Sequence, residues 1–201
     1  MKMLINISSL TFVRHPSIER VQLMEKPRVE DRLREYGFDD FRWLSGKDIV
    51  VNQWVRFKCQ LMCQRYGESA VCPPNLPSIA ACREFFAEYE SAVVLRKQKT
   101  AEHREPDSVL FREIDDNLLA LERAVFLDGY YKAMALPMTV CYLCRECTGD
   151  RTTCRHKDKA RPNPEALGVD VFATVRALGY PVEVLNDYGE TMNRYALLLV
   201  E

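Results

Sequence analysis

The sequence lacks an excess of charge of either sign, and it lacks long apolar runs. Its 201 residues carry 28 Lys and Arg against 29 Asp and Glu, which leaves a formal net charge of -1. A chain so close to neutral has no general electrostatic attraction for nucleic acid or for membrane surfaces. No apolar stretch approaches the length of a membrane span. We therefore predict a folded, soluble protein with neither a nucleic-acid nor a membrane partner.

Signatures of nucleotide cofactors are also missing. The chain holds only 8 glycines, and neither Gly-x-Gly-x-x-Gly nor a P-loop occurs among them, so dependence on a flavin or an NTP is not indicated. The Cys-x3-Cys-x2-Cys arrangement of radical-generating enzymes is absent, because Cys72 is the next cysteine after Cys63. The 3 histidines occupy positions that suggest no pH switch.

The N-terminal residues make a poor secretory signal. Residues 1–13 contain one lysine, and polar residues at positions 6, 8, 9 and 11 interrupt their apolar stretch. We therefore predict a cytoplasmic protein. Residues 1–27 are interpreted as an N-terminal extension, with an edge strand from Met3 to Phe12 as the alternative. Residues 28–201 are interpreted as a single cysteine-rich metal-binding domain.

Cysteine, in contrast, is abundant. Eight cysteines in a chain of this length, without a secretory signal, favour metal ligands or redox groups over disulfides. They form two groups of four along the chain. The first group is Cys59, Cys63, Cys72 and Cys82, and the second is Cys141, Cys144, Cys147 and Cys154. We predict that all eight are metal ligands.

The second cysteine group is the more specific signal. Its first three cysteines are separated by two residues each, and Cys154 follows Cys147 after six. Such spacing places three thiolates on one tight loop. Iron-sulfur clusters are commonly held in this way, with a fourth ligand from further along the chain. The same four ligands also suit zinc. His156 is a less favoured substitute ligand, because Cys154 already completes the set.

Basic residues surround this second group. They are Arg145, Arg151, Arg155, His156, Lys157, Lys159 and Arg161. One interpretation is compensation of the charge on a thiolate-bound cluster together with surface solubility. The other is a basic collar that docks an acidic redox partner or holds an anionic substrate.

The first cysteine group is less regular, with gaps of three, eight and nine residues. Pro73 and Pro74 fix their own backbone angles and so stiffen the loop that presents Cys72. Cys82 lies on the apolar stripe of a helix predicted over 78–89. Two interpretations of Cys82 stay open, a fourth ligand near the helix N-terminus or a small buried hydrophobe.

Hydrophobic periodicity predicts helices alternating with strands. Helices are predicted over 28–36, 78–89, from Asp107 to before Gly129, and within 163–179. Strands are predicted over 91–95, 133–140, 182–185 and 195–200, with extended segments around a turn in 38–57 and a surface loop over 96–106 that contains a solvated His103. An acidic face of the long third helix, Glu113, Asp115, Asp116 and Glu122, is predicted to be solvated. The pattern predicts an α/β or α+β fold: a mixed sheet with packed helices and two cysteine-rich metal-binding loops.

Several motifs together resemble a known family. They are Trp54-Val-Arg-Phe-Lys-Cys59, Tyr66-Gly67 with Cys72-Pro-Pro74, the segment from Leu121-Glu-Arg123 to Gly129-Tyr-Tyr-Lys132, Cys141-x2-Cys-x2-Cys147, Cys154-Arg-His156 and Ala160-Arg-Pro162. From about Trp54 to its end, the chain resembles the DUF2284 family of predicted metal-binding proteins. Proline usually follows Cys-Arg-His in that family, whereas Lys157 stands here. The resemblance implies metal binding and no particular reaction.

Three hypotheses of function follow. The leading one is a cytoplasmic protein with two [4Fe-4S] clusters, one per cysteine group, that transfers electrons between partner proteins. The second is an iron-sulfur enzyme whose open cluster site acts on a small anionic substrate, which applies if Cys82 belongs to the core. The third is a zinc-stabilised binding module. One cluster beside a separate thiol or zinc site is a variant of these.

Overall fold

A four-stranded antiparallel sheet organises the part of the chain that the computed structural model describes, which is residues 16–99, 107–186 and 190–201. Side chains are described from residue 26 onward, except at 107 and 108. The edge strand predicted from Met3 to Phe12, and His103, lie outside the described residues. Of the described helices, none is both long and apolar enough to cross a bilayer.

Helices and strands alternate along the described chain. The helices are α1 (Pro16–Glu35), α2 (Gln53–Met62), α3 (Ile79–Ala87), α4 (Asp107–Leu127) and α5 (Val171–Ala177), and short 3-10 helices span Gly46–Asp48 and Glu165–Leu167. The strands are β1 (Phe41–Leu44), β2 (Ala92–Lys99), β3 (Met134–Leu136) and β4 (Met192–Leu199), in the sheet order β1-β2-β4-β3. The prediction of an α/β or α+β fold is confirmed in its α+β form, because every pairing between these strands is antiparallel.

The central strands β2 and β4 are apolar on both faces because helices cover both sides of the sheet. Val94 belongs to a core that includes Ile79 and Phe86 of α3 and Val175 of α5. Alternate strand residues point the other way, into a core that contains Leu33 of α1 and the stripe of α4: Val93, Leu95, Ala196, Leu198, Leu118, Leu121 and Val125. Burial on both faces explains why these strands read as continuous apolar runs.

Most predicted elements are confirmed, but three segments differ. Residues 53–57, predicted as extended, instead begin α2, a helix that buries Val55 and Arg56 and leaves its aromatic side chains half exposed. Residues 96–99 extend β2 by pairing with 192–195 rather than forming a loop. Residues 182–185 form no strand: β4 is already paired on both sides by β2 and β3, and Val184 is 78 % exposed.

Gly46 follows β1 at a position where two helix segments meet without room for a side chain. A Cβ atom there would collide with the carbonyl oxygen of Phe86 and lie 2.8 Å from that of Tyr89. We expect Gly46→Ala to lower the free energy of unfolding by about 3 kcal/mol or more, because backbone has to move. The control is Gly37→Ala, where a Cβ meets nothing within 4 Å and only the positive φ of 81° opposes the change, at about 1–2 kcal/mol. Urea denaturation measures both, and equal losses would contradict this account.

Candidate metal centre

The first three cysteines of the first group lie at the end of α2 and in the loop after it. Cys59 is in the last turn of α2, and Cys63 caps the helix, its amide lying 3.4 Å from the Cys59 carbonyl. Cys72 sits in a tight turn in which its amide donates to the Ser69 carbonyl and its carbonyl accepts from the amide of Asn75. Helix end and turn together hold these thiols in defined positions.

The second group lies on the long loop that leaves β3, and a buried carboxylate fixes where that loop begins. Asp115 of α4 is 1 % exposed. Its carboxylate accepts hydrogen bonds from the amides of Met138 and Thr139 at 2.8 and 3.1 Å and from the Thr139 hydroxyl. Burial raises the pKa of Asp115, and the bonds from Thr139 and Met138 offset part of that rise. The anchor lies two residues before Cys141.

An ion pair fixes the other end of this loop. The guanidinium of Arg161 donates to both carboxylate oxygens of Glu122 on α4, at 3.0 and 2.6 Å. Glu122 also accepts from the amide of Ala135 on β3 at 2.7 Å. Both ion-pair side chains are largely buried. The loop that carries the second cysteine group is therefore tied to α4 at both ends.

We expect Arg161→Met to destabilise the protein by about 2–3 kcal/mol, because it leaves the mostly buried Glu122 carboxylate without its cation. The matched control is Arg34→Met, which breaks the more exposed pair with Glu30 on α1 and is expected to cost no more than about 0.5 kcal/mol. Thermal and urea unfolding measure both variants. Equal effects would show that the Arg161 pair does not anchor the loop.

The structure corrects the prediction of a solvated acidic face on α4. Glu113 and Asp116 are exposed, but Asp115 and Glu122 are not. Asp115 follows Phe111 by four residues and precedes Leu118 by three, so it shares the helix face that enters the core. That spacing is the sequence signal that identifies Asp115 as an internal anchor.

The loops of the two cysteine groups pack directly against each other. The amide of Ala70 lies 3.4 Å from the Cys147 sulfur. The side-chain amide of Asn75 donates to the carbonyls of Gly149, at 2.7 Å, and Ser69, at 3.0 Å. Gly149 has a φ of 70°, and a Cβ there would lie 3.4 Å from the Gly67 carbonyl oxygen. The positive φ is what favours glycine here, because a Cβ would make only an ordinary van der Waals contact with the other loop.

Electrostatic interactions between thiols link seven of the eight cysteines, and we call these seven the connected set. The Cys72 thiol is near enough to Cys59, Cys63 and Cys141 to interact with them electrostatically, and Cys141 interacts in the same way with the remaining thiols of its group, Cys144, Cys147 and Cys154. Burial raises the pKa values of Cys59, Cys72 and Cys141. All eight cysteines are free thiols. Cys72 and Cys141 therefore connect the two groups.

Cys82 lies apart from this set. It is 1 % exposed and belongs to the core cluster with Ile79 and Phe86 of its own helix. Its sulfur is 3.8 Å from the Pro77 carbonyl oxygen. Burial raises the pKa of Cys82, and the guanidinium of Arg56 offsets part of that rise. The core position supports the interpretation of Cys82 as a small buried hydrophobe, while its role as a ligand stays a prediction.

The donors around Cys147 suit a metal-bound thiolate. The backbone amides of Gly149 and Ala70, and more weakly that of Thr148, hydrogen-bond to its sulfur and lower its pKa. Amide donors to thiolate sulfur are among the means by which proteins hold iron-sulfur clusters and tune them. Within the described residues, no three Cys, His, Asp or Glu side chains converge at metal-ligand geometry. The fit to a metal therefore rests on the thiol donors and on the amides that face them.

Comparison with known proteins agrees with this chemistry. The family model DUF2284, described as a predicted metal-binding protein, matches residues 42–200. No curated protein and no solved structure matches the chain. The match includes all eight cysteines and both ends of the loop that holds the second group. The chain therefore belongs to the DUF2284 family of predicted metal-binding proteins.

Proposed function

We propose that this metal-binding protein holds two [4Fe-4S] clusters and passes single electrons between partner proteins. The observation that carries the proposal is the direct packing of the two cysteine loops, in which the amide of Ala70 lies 3.4 Å from the Cys147 sulfur and the side-chain amide of Asn75 donates to the Gly149 carbonyl at 2.7 Å. All eight cysteines are free thiols. Cys141, Cys144, Cys147 and Cys154 would hold one cluster, and Cys59, Cys63 and Cys72 would supply the protein thiolates of the other. When bound, such clusters supply one-electron chemistry. Free thiols also suit the reducing cytoplasm, where we propose the protein resides.

The direct test is metal and sulfide content, with electron paramagnetic resonance of the dithionite-reduced protein after purification without oxygen. About eight irons and eight sulfides per chain, with interacting reduced clusters, would support the proposal. About four irons would indicate one cluster beside a separate thiol or zinc site. A colourless protein with stoichiometric zinc would replace the proposal with a zinc-stabilised binding module.

A second candidate function is an iron-sulfur enzyme with an open cluster site. The observation that favours it is the core position of Cys82, which leaves the first group with three thiols in the connected set. A cluster with three protein ligands would keep a position for substrate. Spectral change of the reduced protein on addition of candidate substrates separates this function from simple electron transfer, which predicts no such change.

The exposed side of α2 is the surface that we propose for docking a redox partner. Trp54, Phe57 and Leu61 follow at helical spacing beside Cys59 and Cys63, and Leu61 is 80 % exposed. The ammonium of Lys58 lies 5.6 Å from the centroid of the Trp54 ring, within the reach of about 6 Å of a cation–π contact. An apolar strip with a basic residue beside a redox centre suits weak docking of an acidic redox protein.

We expect Leu61→Asp to slow electron transfer with a small acidic ferredoxin, used as the probe, by about tenfold, because it places a like charge at the most exposed end of the strip. The control is Leu127→Asp, an exposed leucine at the end of α4, which should leave the rate unchanged. Stopped-flow absorbance at low and high salt measures the rate. Equal rates for wild type and Leu61→Asp would place docking elsewhere.

A further inference from the structure

A cleft of about 690 Å³ opens beside the second cysteine group. Arginines from three separate segments line it: Arg65 from the loop after α2, Arg112 from α4, and Arg145 from the second cysteine loop. Cys141 and Cys144 form part of the same wall. Among the described residues, no aspartate or glutamate lines the cleft. Three positive charges therefore face a space of small-molecule size beside the proposed metal centre.

Two of these arginines have no carboxylate partner in the described part of the chain. Arg65 pairs with Glu68 at 3.1 Å on the exposed surface, whereas Arg112 and Arg145 form no ion pair with a described residue. Arg112 is positioned by the ring of Tyr142, whose centroid lies 5.1 Å from the guanidinium carbon. The Tyr142 hydroxyl in turn lies 2.9 Å from the Arg112 carbonyl oxygen and 2.8 Å from a carboxylate oxygen of Asp116. Arg112 is thus held at the cleft by Tyr142, without a direct ion pair to a described carboxylate.

We propose that this cleft binds a small molecule that carries a multivalent oxyanion, either a phosphate group or several carboxylates. Guanidinium groups present paired N–H donors that match the oxygens of phosphate and carboxylate. Arg112 and Arg145, two like charges without an ion-pair partner among the described residues, favour an anion that neutralises them. The half-exposed Val140 in the cleft wall offers contact to an uncharged part of the ligand. The proposal goes beyond electron transfer and does not depend on which metal the cysteines hold.

The test is calorimetric titration of the metal-loaded protein, prepared without oxygen, with inorganic phosphate, pyrophosphate and citrate. We expect saturable binding at one site per chain that weakens with added chloride. Pyrophosphate binding more tightly than citrate would indicate a phosphate-bearing ligand, and the reverse order would indicate a polycarboxylate. Arg145→Gln and Arg112→Gln are each expected to weaken binding about tenfold or more. Arg123→Gln, on an exposed part of α4 outside the cleft, should not weaken it.

Three results would overturn the proposal. One is saturable binding of none of the three anions. Another is an equal loss of affinity in Arg123→Gln, which would show attraction to general surface charge. The third is unchanged anion affinity in both cleft variants together with a shifted cluster potential, which would show that the arginines only compensate the cluster. Metal analysis of the same samples keeps the two proposals apart, because zinc in place of iron would refute the iron-sulfur function and leave anion binding intact.

Discussion

The Cys72→Ser variant is expected to lose the metal that we propose for the first cysteine group, whereas Cys82→Ser is expected to keep it. Cys72 joins Cys59, Cys63 and Cys141 in the connected set of thiols. Cys82 is instead packed among apolar side chains of the core. Serine binds iron far less well than thiolate, so replacing a true ligand removes or weakens the cluster. Iron and sulfide content per chain, with the spectrum of the reduced protein, measures the difference.

Cys82→Ser should lower the stability of the fold rather than the metal content. Its hydroxyl replaces a buried thiol whose nearest acceptor is the Pro77 carbonyl at 3.8 Å, so we expect a loss of about 1–2 kcal/mol in the free energy of unfolding. Cys82→Ala is the companion variant, because it removes the sulfur without adding a polar group. If both Cys82 variants fold normally but lose as much metal as Cys72→Ser, the first site is a closed set of four cysteines.

The second large effect is expected at Asp115. In Asp115→Ala, the buried amides of Met138 and Thr139 lose their acceptor, and so does the Thr139 hydroxyl. We expect the free energy of unfolding to fall by about 3–5 kcal/mol, because each donor left without an acceptor carries a desolvation cost. Metal of the second cysteine group should also be removed faster by a chelator, since the loop loses its first anchor. Glu113→Ala, on an exposed position of the same helix, should change stability by no more than about 0.5 kcal/mol.

The pH dependence of Asp115 provides a separate check. Burial raises its pKa in the folded state, so folding favours the protonated form. Its titration therefore contributes stability that is fully present below the unfolded pKa of about 4 and is lost as pH rises through the higher folded pKa. As pH rises over that window, the free energy of unfolding of the wild type should fall relative to that of Asp115→Asn. A difference that is constant with pH would contradict the raised pKa.

Local patterns predicted the elements that the core requires. The stripe Leu118, Leu121 and Val125 identified α4, and the run over 91–95 identified β2, because both record burial directly in residue spacing. The same logic failed at α2, where exposed Trp54 and Phe57 looked like core residues of extended segments. Their exposure is a property of the folded surface, and no local spacing encodes it.

The candidate site shows the same division between local and tertiary information. The spacing of Cys141, Cys144 and Cys147 predicted one tight thiolate loop, since ligand spacing is local in the chain. The contact between the two cysteine loops was not predictable from the sequence. Its hydrogen bonds, from Ala70 to Cys147 and from Asn75 to Gly149, join residues more than seventy positions apart. Likewise, the charge of Asp115 predicts a solvated side chain, whereas the residue is buried on the same helix face as Phe111 and Leu118.

By itself, the sequence determined that helices pack on a sheet in an α/β or α+β fold, and it determined the family and the eight candidate thiols, because periodicity and cysteine spacing are properties of neighbouring residues. Only the tertiary structure decided that seven thiols are connected while Cys82 lies in the core. It also decided that Arg65, Arg112 and Arg145 line one cleft. The physical reason is that sheet pairing and loop packing bring together residues distant in the chain, and their contacts depend on how both faces of the sheet are covered.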